Sequence, residues 1–325
     1  MSDETRTHAR PSHETATADA HSSQETAAAR PAQETATADG RHSHETATAD
    51  ARLSLKTDTP DARLWNETVV PGARLAWTDT GGDGPAAVWA HPLCGSSGTS
   101  ESSGAFDWDP VAAAGRRLVR YDARGHGRST GRPAAEDFRL PNLAQDLLAL
   151  LDVISPDAPV AGIGLSLGTA TLLHAAVTAP HRFDRLVLTA PPTAWETRPQ
   201  QAAAYNQLAD LVEAHGRTAV DTALAAAPVP APYQGAPGFP FPVDVEDHLL
   251  APVLRGVGAS DLPAEESLAR LRLPVLILAW AQDPGHPLST AETLASLIPG
   301  ATMKVAHSME DLRAWGGTAA EFLRP

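Results

Sequence analysis

A serine stands between two glycines where the hydrophobic pattern of the chain changes. The pentapeptide GLSLG, positions 164–168, follows an apolar run over Pro159–Leu165 and opens a run of small residues over Gly168–Thr178. A G-x-S-x-G turn between a buried strand and a helix exposes a serine hydroxyl for nucleophilic attack. Flanking glycines let the strand and the helix approach each other without Cβ clashes. The pattern favours Ser166 as a nucleophile over an idle serine in a tight turn.

Three further segments accompany this turn. HPLCG (91–95) follows a short apolar run, YDARGHGRS (121–129) ends another, and PVLILAWAQDPGHP (274–287) is an apolar run that reaches an aspartate. With GLSLG, and in this order, they resemble the α/β-hydrolase superfamily from about Leu64 to the C-terminus. The resemblance implies an α/β fold with a mainly parallel sheet of eight strands flanked by helices.

The resemblance also implies a Ser-Asp-His triad. Asp283, just past an apolar strand, occupies the place of the acid, and Glu196 is a weaker alternative. His307, after the last predicted strand, occupies the place of the general base, and Ser166, Asp283, His307 is the chain order of the family. The loop before His307 is shorter than in relatives, however. Two alternatives therefore stay open. The base is His286, in the acid-bearing loop, or the protein has no functional base.

Two backbone N–H groups are implied as an oxyanion hole. One belongs to Leu167, the residue after the serine, and the second comes from the loop 91–95. Pro92 has no N–H, so Leu93 is the expected donor.

The chain divides into three parts by composition. Residues 1–55 carry a degenerate repeat of Glu-Thr pairs without an apolar face, which predicts a disordered tail. Residues 56–192 and 272–325 alternate strand-like and helix-like segments and form the predicted core. Residues 193–271 break the alternation with helical segments and a proline-rich stretch, which predicts a helical lid inserted into the core.

The amino-acid composition excludes several classes of binding partner. The 325 residues carry a formal net charge of −14, which argues against nucleic acid and anionic membranes. The single cysteine, Cys94, excludes an intrachain disulfide and fits a cytoplasmic protein. We expect no membrane span, no cofactor and no metal; the oligomeric state stays open.

These features predict a serine hydrolase that cleaves an ester, thioester, lactone or similar acyl bond through an acyl-enzyme. The expected substrate is a small acyl compound with an apolar part. A C–C bond hydrolase or a cofactorless peroxidase-like enzyme on the same triad is an alternative within enzymology. A non-catalytic binding or scaffold protein that keeps the fold is an alternative outside it, as is a domain that its N-terminal tail recruits to a partner.

Overall fold

The computed structural model describes residues 64–230, 233–234, 239 and 241–325, so the predicted tail lies outside the described residues. Eight strands form one sheet in the order β1-β2-β4-β3-β5-β6-β7-β8. The strands are β1 (Asn66–Val70), β2 (Ala73–Asp79), β3 (Ala86–Ala90), β4 (Arg117–Tyr121), β5 (Val160–Leu165), β6 (Phe183–Thr189), β7 (Val275–Trp280) and β8 (Thr302–Ala306).

The burial of the strands matches their direction. β1, β2 and β4 pair antiparallel, and β1 alternates between exposed and buried residues after its first position. From β4 onward every pairing is parallel. β3, β5 and β7 are buried at every position, because helices cover both faces of the sheet. The predicted mainly parallel sheet of eight strands is confirmed.

Helices occupy both faces of this sheet. They are α1 (Ser97–Ser102), α2 (Asp109–Ala113), α3 (Leu140–Ile154), α4 (Leu167–Thr178), α5 (Arg198–His215), α6 (Arg217–Ala226), α7 (Asp247–Gly258), α8 (Glu265–Leu268), α9 (Leu288–Leu297), α10 (Met309–Arg313) and α11 (Trp315–Phe322). Successive side chains of β3 enter different apolar clusters, as the two-residue period of a strand requires: Val88 packs with residues of α3, α4 and α9, and Trp89 with residues of α2 and α11. No helix among the described residues is long and apolar enough to cross a bilayer.

The described residues between β6 and β7 form four α-helices, α5 to α8, where the sequence predicts an insertion over 193–271. α5 packs along α7, and both contribute to an apolar cluster that also contains Phe138 and Val220. Arg198, at the first turn of α5, donates to the carbonyls of Val257 and Ser260 at the end of α7, at 2.6 and 2.7 Å. We call residues 193–271 the helical insertion.

Two glycines allow α4 to begin directly against the sheet. A Cβ atom on Gly168 would lie 2.0 Å from the carbonyl oxygen of Ala90 at the end of β3. A Cβ atom on Gly164 would lie 2.5 Å from the carbonyl carbon of Gly168. Contacts this short with backbone atoms cannot be relieved by rotating a side chain, so both positions require glycine. The predicted role of the flanking glycines is confirmed.

We therefore expect Gly168→Ala to lower the free energy of unfolding by about 3 kcal/mol or more, because α4 and β3 must separate. Chemical denaturation followed by circular dichroism measures the change. The matched control is Gly317→Ala, an exposed helical position where an added Cβ meets nothing within 4 Å. The control should be neutral or stabilising by up to about 1 kcal/mol. Equal stabilities of the two variants would contradict the steric argument.

Candidate active site

Ser166 occupies the sharp turn between β5 and α4. Its backbone has φ +54° and ψ −106°, a conformation that non-glycine residues rarely adopt. The Ser166 N–H donates to the carbonyl oxygen of Thr189 at the end of β6, at 3.1 Å. Ser166 keeps 9% of its surface exposed. The strained turn thus holds the hydroxyl at the end of the sheet, and strain of this kind is typical of functional residues.

His286 links the serine to a carboxylate. The Oγ atom of Ser166 lies 2.8 Å from Nε2 of His286, and Nδ1 of the same ring lies 2.9 Å from Oδ2 of Asp283. An ionised carboxylate only accepts hydrogen bonds, so Nδ1 carries the proton and Nε2 is free to accept from the serine hydroxyl. This order of groups is the one in which a histidine removes the proton of a serine nucleophile.

The loop that carries both groups is a tight turn after β7. The Gly285 N–H donates to Oδ1 of Asp283 at 2.8 Å, and the His286 N–H donates to the Asp283 carbonyl oxygen at 3.1 Å. The first residue of the helical insertion also holds the loop, because the Thr193 N–H donates to the carbonyl oxygen of Gly285 at 3.2 Å. Trp280, the last residue of β7, presents its ring edge-to-face to the imidazole, with 5.2 Å between the ring centroids.

Asp283 stays ionised in this setting. Burial is the largest influence and disfavours the carboxylate, but the hydrogen bond from His286, the electrostatic attraction between the two groups and the Gly285 N–H together outweigh burial. The pKa of Asp283 therefore lies below its usual range. A carboxylate that remains charged near neutral pH orients the ring and stabilises the imidazolium that forms when the histidine takes a proton.

The structure does not bring His307, the predicted base, into this group; the histidine that lies between Ser166 and Asp283 is His286. β8 ends at Ala306, and Ser308 already caps α10, so no loop remains to carry residue 307 across the sheet end. His307 is exposed, and its backbone N–H donates to Oδ2 of Asp311 at 2.8 Å. Glu196, the weaker candidate for the acid, is exposed on a short 3₁₀ turn.

The sequence does contain a signal for His286. It stands three residues after Asp283, a spacing that lets one turn hold both side chains, and the loop before His307 is short. Of the residues predicted for the triad, the structure brings Ser166 and Asp283 together through a histidine that the sequence offers only as an alternative.

The two predicted oxyanion donors lie on opposite sides of Ser166 in the chain. Leu167 is the first residue of α4, and its N–H has no acceptor within the helix. Leu93 stands in the loop after β3, where Gly95 N–H donates to the Pro92 carbonyl at 3.1 Å and Cys94 has φ +61°. Both leucines line cavities that reach Ser166.

Two buried histidines support the loop that carries Leu93. Nδ1 of His91 donates to the Pro92 carbonyl at 2.8 Å, and Nε2 accepts from the Ala123 N–H at 2.8 Å. Nδ1 of His126 donates to the Arg124 carbonyl at 2.8 Å, and the two rings lie 5.2 Å apart. Burial lowers the pKa of His91 to about 4 and that of His126 to about 3, so both rings are neutral.

Two cavities open beside Ser166. The larger has a volume of about 400 Å³ and lies between the sheet end and the helical insertion. Tyr205, Phe239 and Phe241 of the insertion line it. Trp195 instead donates its indole N–H to the carbonyl of Pro263 at 3.3 Å. The smaller cavity, about 10 Å³, lies beside Leu167.

Comparison with known proteins agrees with this architecture. A sequence profile described as the alpha/beta hydrolase fold matches residues 91–232. The chain is 30% identical over 202 residues to 3-oxoadipate enol-lactonase 2 of Acinetobacter baylyi, covering 59% of this chain and 70% of that protein.

Solved structures show the same fold. A hydrolase from Pseudomonas aeruginosa PA01 superposes with a TM-score of 0.67 at 24% identity, over 80% of this chain and 98% of that one. An enol-lactonase from Burkholderia xenovorans LB400 superposes with a TM-score of 0.66 at 21% identity, over 80% and 100% of the two chains. The chain belongs to the α/β-hydrolase superfamily.

The buried histidines predict sensitivity to acid. Between about pH 6.5 and the lowered pKa values, the unfolded chain binds protons that the folded chain does not, so stability falls as the pH falls. We expect the melting temperature to decrease as the pH is lowered from about 6.5. We also expect His91→Gln, whose amide oxygen can accept from Ala123 N–H, to flatten that slope. Thermal denaturation between neutral pH and pH 4 measures it. The same slope in His91→Gln and in the exposed control His181→Gln would contradict this origin.

Proposed function

We propose that this protein is a serine hydrolase that cleaves an ester, lactone or related acyl bond through Ser166, His286 and Asp283. The observation that carries the proposal is the continuous pair of hydrogen bonds, 2.8 Å from Ser166 to His286 and 2.9 Å from His286 to Asp283. Burial of Asp283 and its lowered pKa support it, because the acid of such a triad acts as a charged group. The enol-lactonase relative supports an acyl bond of the ester or lactone type.

Acylation is the first half of the reaction. The Ser166 oxygen attacks the substrate carbonyl while its proton passes to Nε2 of His286, and the negative oxygen that forms is held by backbone N–H groups of Leu167 and Leu93. His286 then gives the proton to the leaving oxygen as the acyl carbon–oxygen bond breaks. An alcohol departs, and the acyl group remains on Ser166.

Deacylation repeats these steps with water. His286 takes a proton from water, whose oxygen attacks the acyl carbon, and returns the proton to Ser166 as the serine oxygen leaves. The sum is one ester bond and one water converted to an acid and an alcohol. The helical insertion acts as a lid in this proposal, because α5, α6 and α7 supply cavity walls above Ser166 and exclude bulk water.

The test is labelling with a fluorophosphonate, which reacts with activated serines, followed by peptide mass spectrometry. We expect the label on Ser166 and its absence in Ser166→Ala. We expect His286→Ala to lower kcat/KM for p-nitrophenyl acetate by about 10²- to 10⁴-fold, because the general base is lost. The readout is release of nitrophenolate.

His307→Ala is the matched control, because it removes a histidine outside the hydrogen-bonded group. Its kcat/KM should stay within about twofold of the unchanged protein, since surface substitutions away from such features have small effects. A large loss in His307→Ala with little loss in His286→Ala would overturn the assignment of the base. Folded protein that takes no label would overturn the serine mechanism.

A further inference from the structure

Ser166 lies where two cavities of very different volume meet. The large cavity of about 400 Å³ and the small pocket of about 10 Å³ share Ser166, Leu93 and Tyr205 in their walls. The larger volume is within the range of sites for small organic ligands. The smaller is about the space of one water molecule, so it admits a group no bigger than a methyl. The two substituents of a substrate carbonyl therefore meet unequal room.

The small pocket lies on the oxyanion side of the serine. Leu167, one of the two proposed oxyanion donors, lines it. Its other walls include Leu140, Val257 and Leu262, all of which are buried, so packed side chains fix its width. A carbonyl oxygen that points at the Leu167 N–H leaves space beside it for a short acyl group.

The leaving group occupies the large cavity. Only a group within hydrogen-bond reach of His286 can receive the proton that the leaving oxygen needs. His286 and Asp283 line the large cavity, and neither is among the described residues around the small pocket. The leaving oxygen thus lies between Ser166 and His286, and the remainder of the alcohol extends into the large cavity of about 400 Å³.

The walls of the large cavity are suited to an apolar, aromatic group. Trp280 and Tyr233 meet edge-to-face with 4.9 Å between ring centroids, and Tyr233 and Phe239 stack at 4.9 Å. Aromatic rings favour such offset and edge-to-face contacts with one another. The aromatic wall includes Phe106, Tyr233, Phe239, Phe241 and Trp280. The facing aliphatic wall includes Leu208, Val220, Leu224, Leu250 and Leu254.

Charge in the large cavity disfavours an anionic group. Among the described residues that line this cavity there is no lysine or arginine, whereas the Asp283 carboxylate does line it. Burial raises the pKa of the Cys94 thiol to about 12 and also raises the pKa of Tyr205, so both are neutral. Arg198 lines the small pocket, but its guanidinium donates to the Val257 and Ser260 carbonyls. A negative charge in the large cavity would lack a partner, and its loss of hydration would be energetically unfavourable.

From this asymmetry we infer that the substrate is an uncharged ester with a short acyl group, such as acetyl, and a bulky apolar alcohol, preferably aromatic. The inference rests on the serine hydrolase function proposed above and deepens it. An ester is therefore turned over faster when its bulky group is in the alcohol than when the same group is in the acid, because the bulky group fits the large cavity and not the small pocket.

Two isomeric esters test the orientation. Phenethyl acetate and methyl hydrocinnamate contain the same atoms and differ only in which side of the ester bond carries the phenethyl group. We expect kcat/KM for phenethyl acetate to exceed that for methyl hydrocinnamate by about tenfold or more, a discrimination within the range of pocket fit. The full chain is used, and chromatography of the released alcohol and acid gives the rates.

A variant links the preference to the small pocket. Leu262→Ala widens that pocket, so the ratio of the two kcat/KM values should fall by about threefold or more. Leu294→Ala removes the same atoms from the buried face of α9, away from either cavity, and controls for loosening of the core. Its ratio should stay within about twofold of the unchanged protein.

The outcomes separate this inference from the function on which it rests. Fluorophosphonate on Ser166 together with faster turnover of phenethyl acetate supports both. Label on Ser166 with equal or faster turnover of methyl hydrocinnamate, or with turnover of neither ester, overturns the orientation and leaves the serine mechanism in place. Absence of label on folded protein overturns both.

Discussion

The contact between Gly168 and Ala90 is the constraint on which the site depends. With no side chain at position 168, the first turn of α4 lies against the carbonyl end of β3, where a Cβ atom would be only 2.0 Å from an oxygen. The chain must reverse from strand to helix within this space, and Ser166 takes the positive φ that the reversal demands. The surrounding parallel strands are buried and hydrogen-bonded on both sides, so the sheet supplies the packing that sustains the strain. The absence of a side chain at Gly168 thus lets Ser166, Leu167 and the loop after β3 lie together at one end of the sheet.

Asp283 and His286 share one turn, which changes how these two side chains are positioned relative to each other. In a site whose histidine and aspartate come from different strands, their distance depends on the register of the sheet. Here the backbone between Asp283 and His286 fixes it, through the bonds from Gly285 N–H and His286 N–H to Asp283. The ring is held from the side by Trp280, which itself stacks on Trp315. The Thr193 N–H donates to the Gly285 carbonyl oxygen, so the start of the helical insertion contacts the same turn that carries Asp283 and His286.

Apolar and polar groups are separated sharply around Ser166. The large cavity is walled by aromatic and aliphatic side chains, which weaken the screening of charge and strengthen the bond from Asp283 to His286. Below the loop of Leu93, the buried rings of His91 and His126 are kept neutral and bonded to backbone atoms. These bonds hold the Leu93 loop in place. Backbone N–H groups that are held rigidly in a surrounding of low polarity are well suited to stabilise an oxyanion.

The sequence by itself determined the parts of this protein that depend on local pattern. The apolar runs indicated a mainly parallel sheet flanked by helices, which is the sheet of eight strands observed. GLSLG placed Ser166, because the close approach of strand and helix leaves glycine as the one residue type that fits. Tertiary structure decided which of two histidines lies beside Ser166, since that depends on where β8 ends and α10 begins. It also decided the shape of the cavities, because their walls come from elements far apart in the chain, such as Leu93, Tyr205 and Trp280.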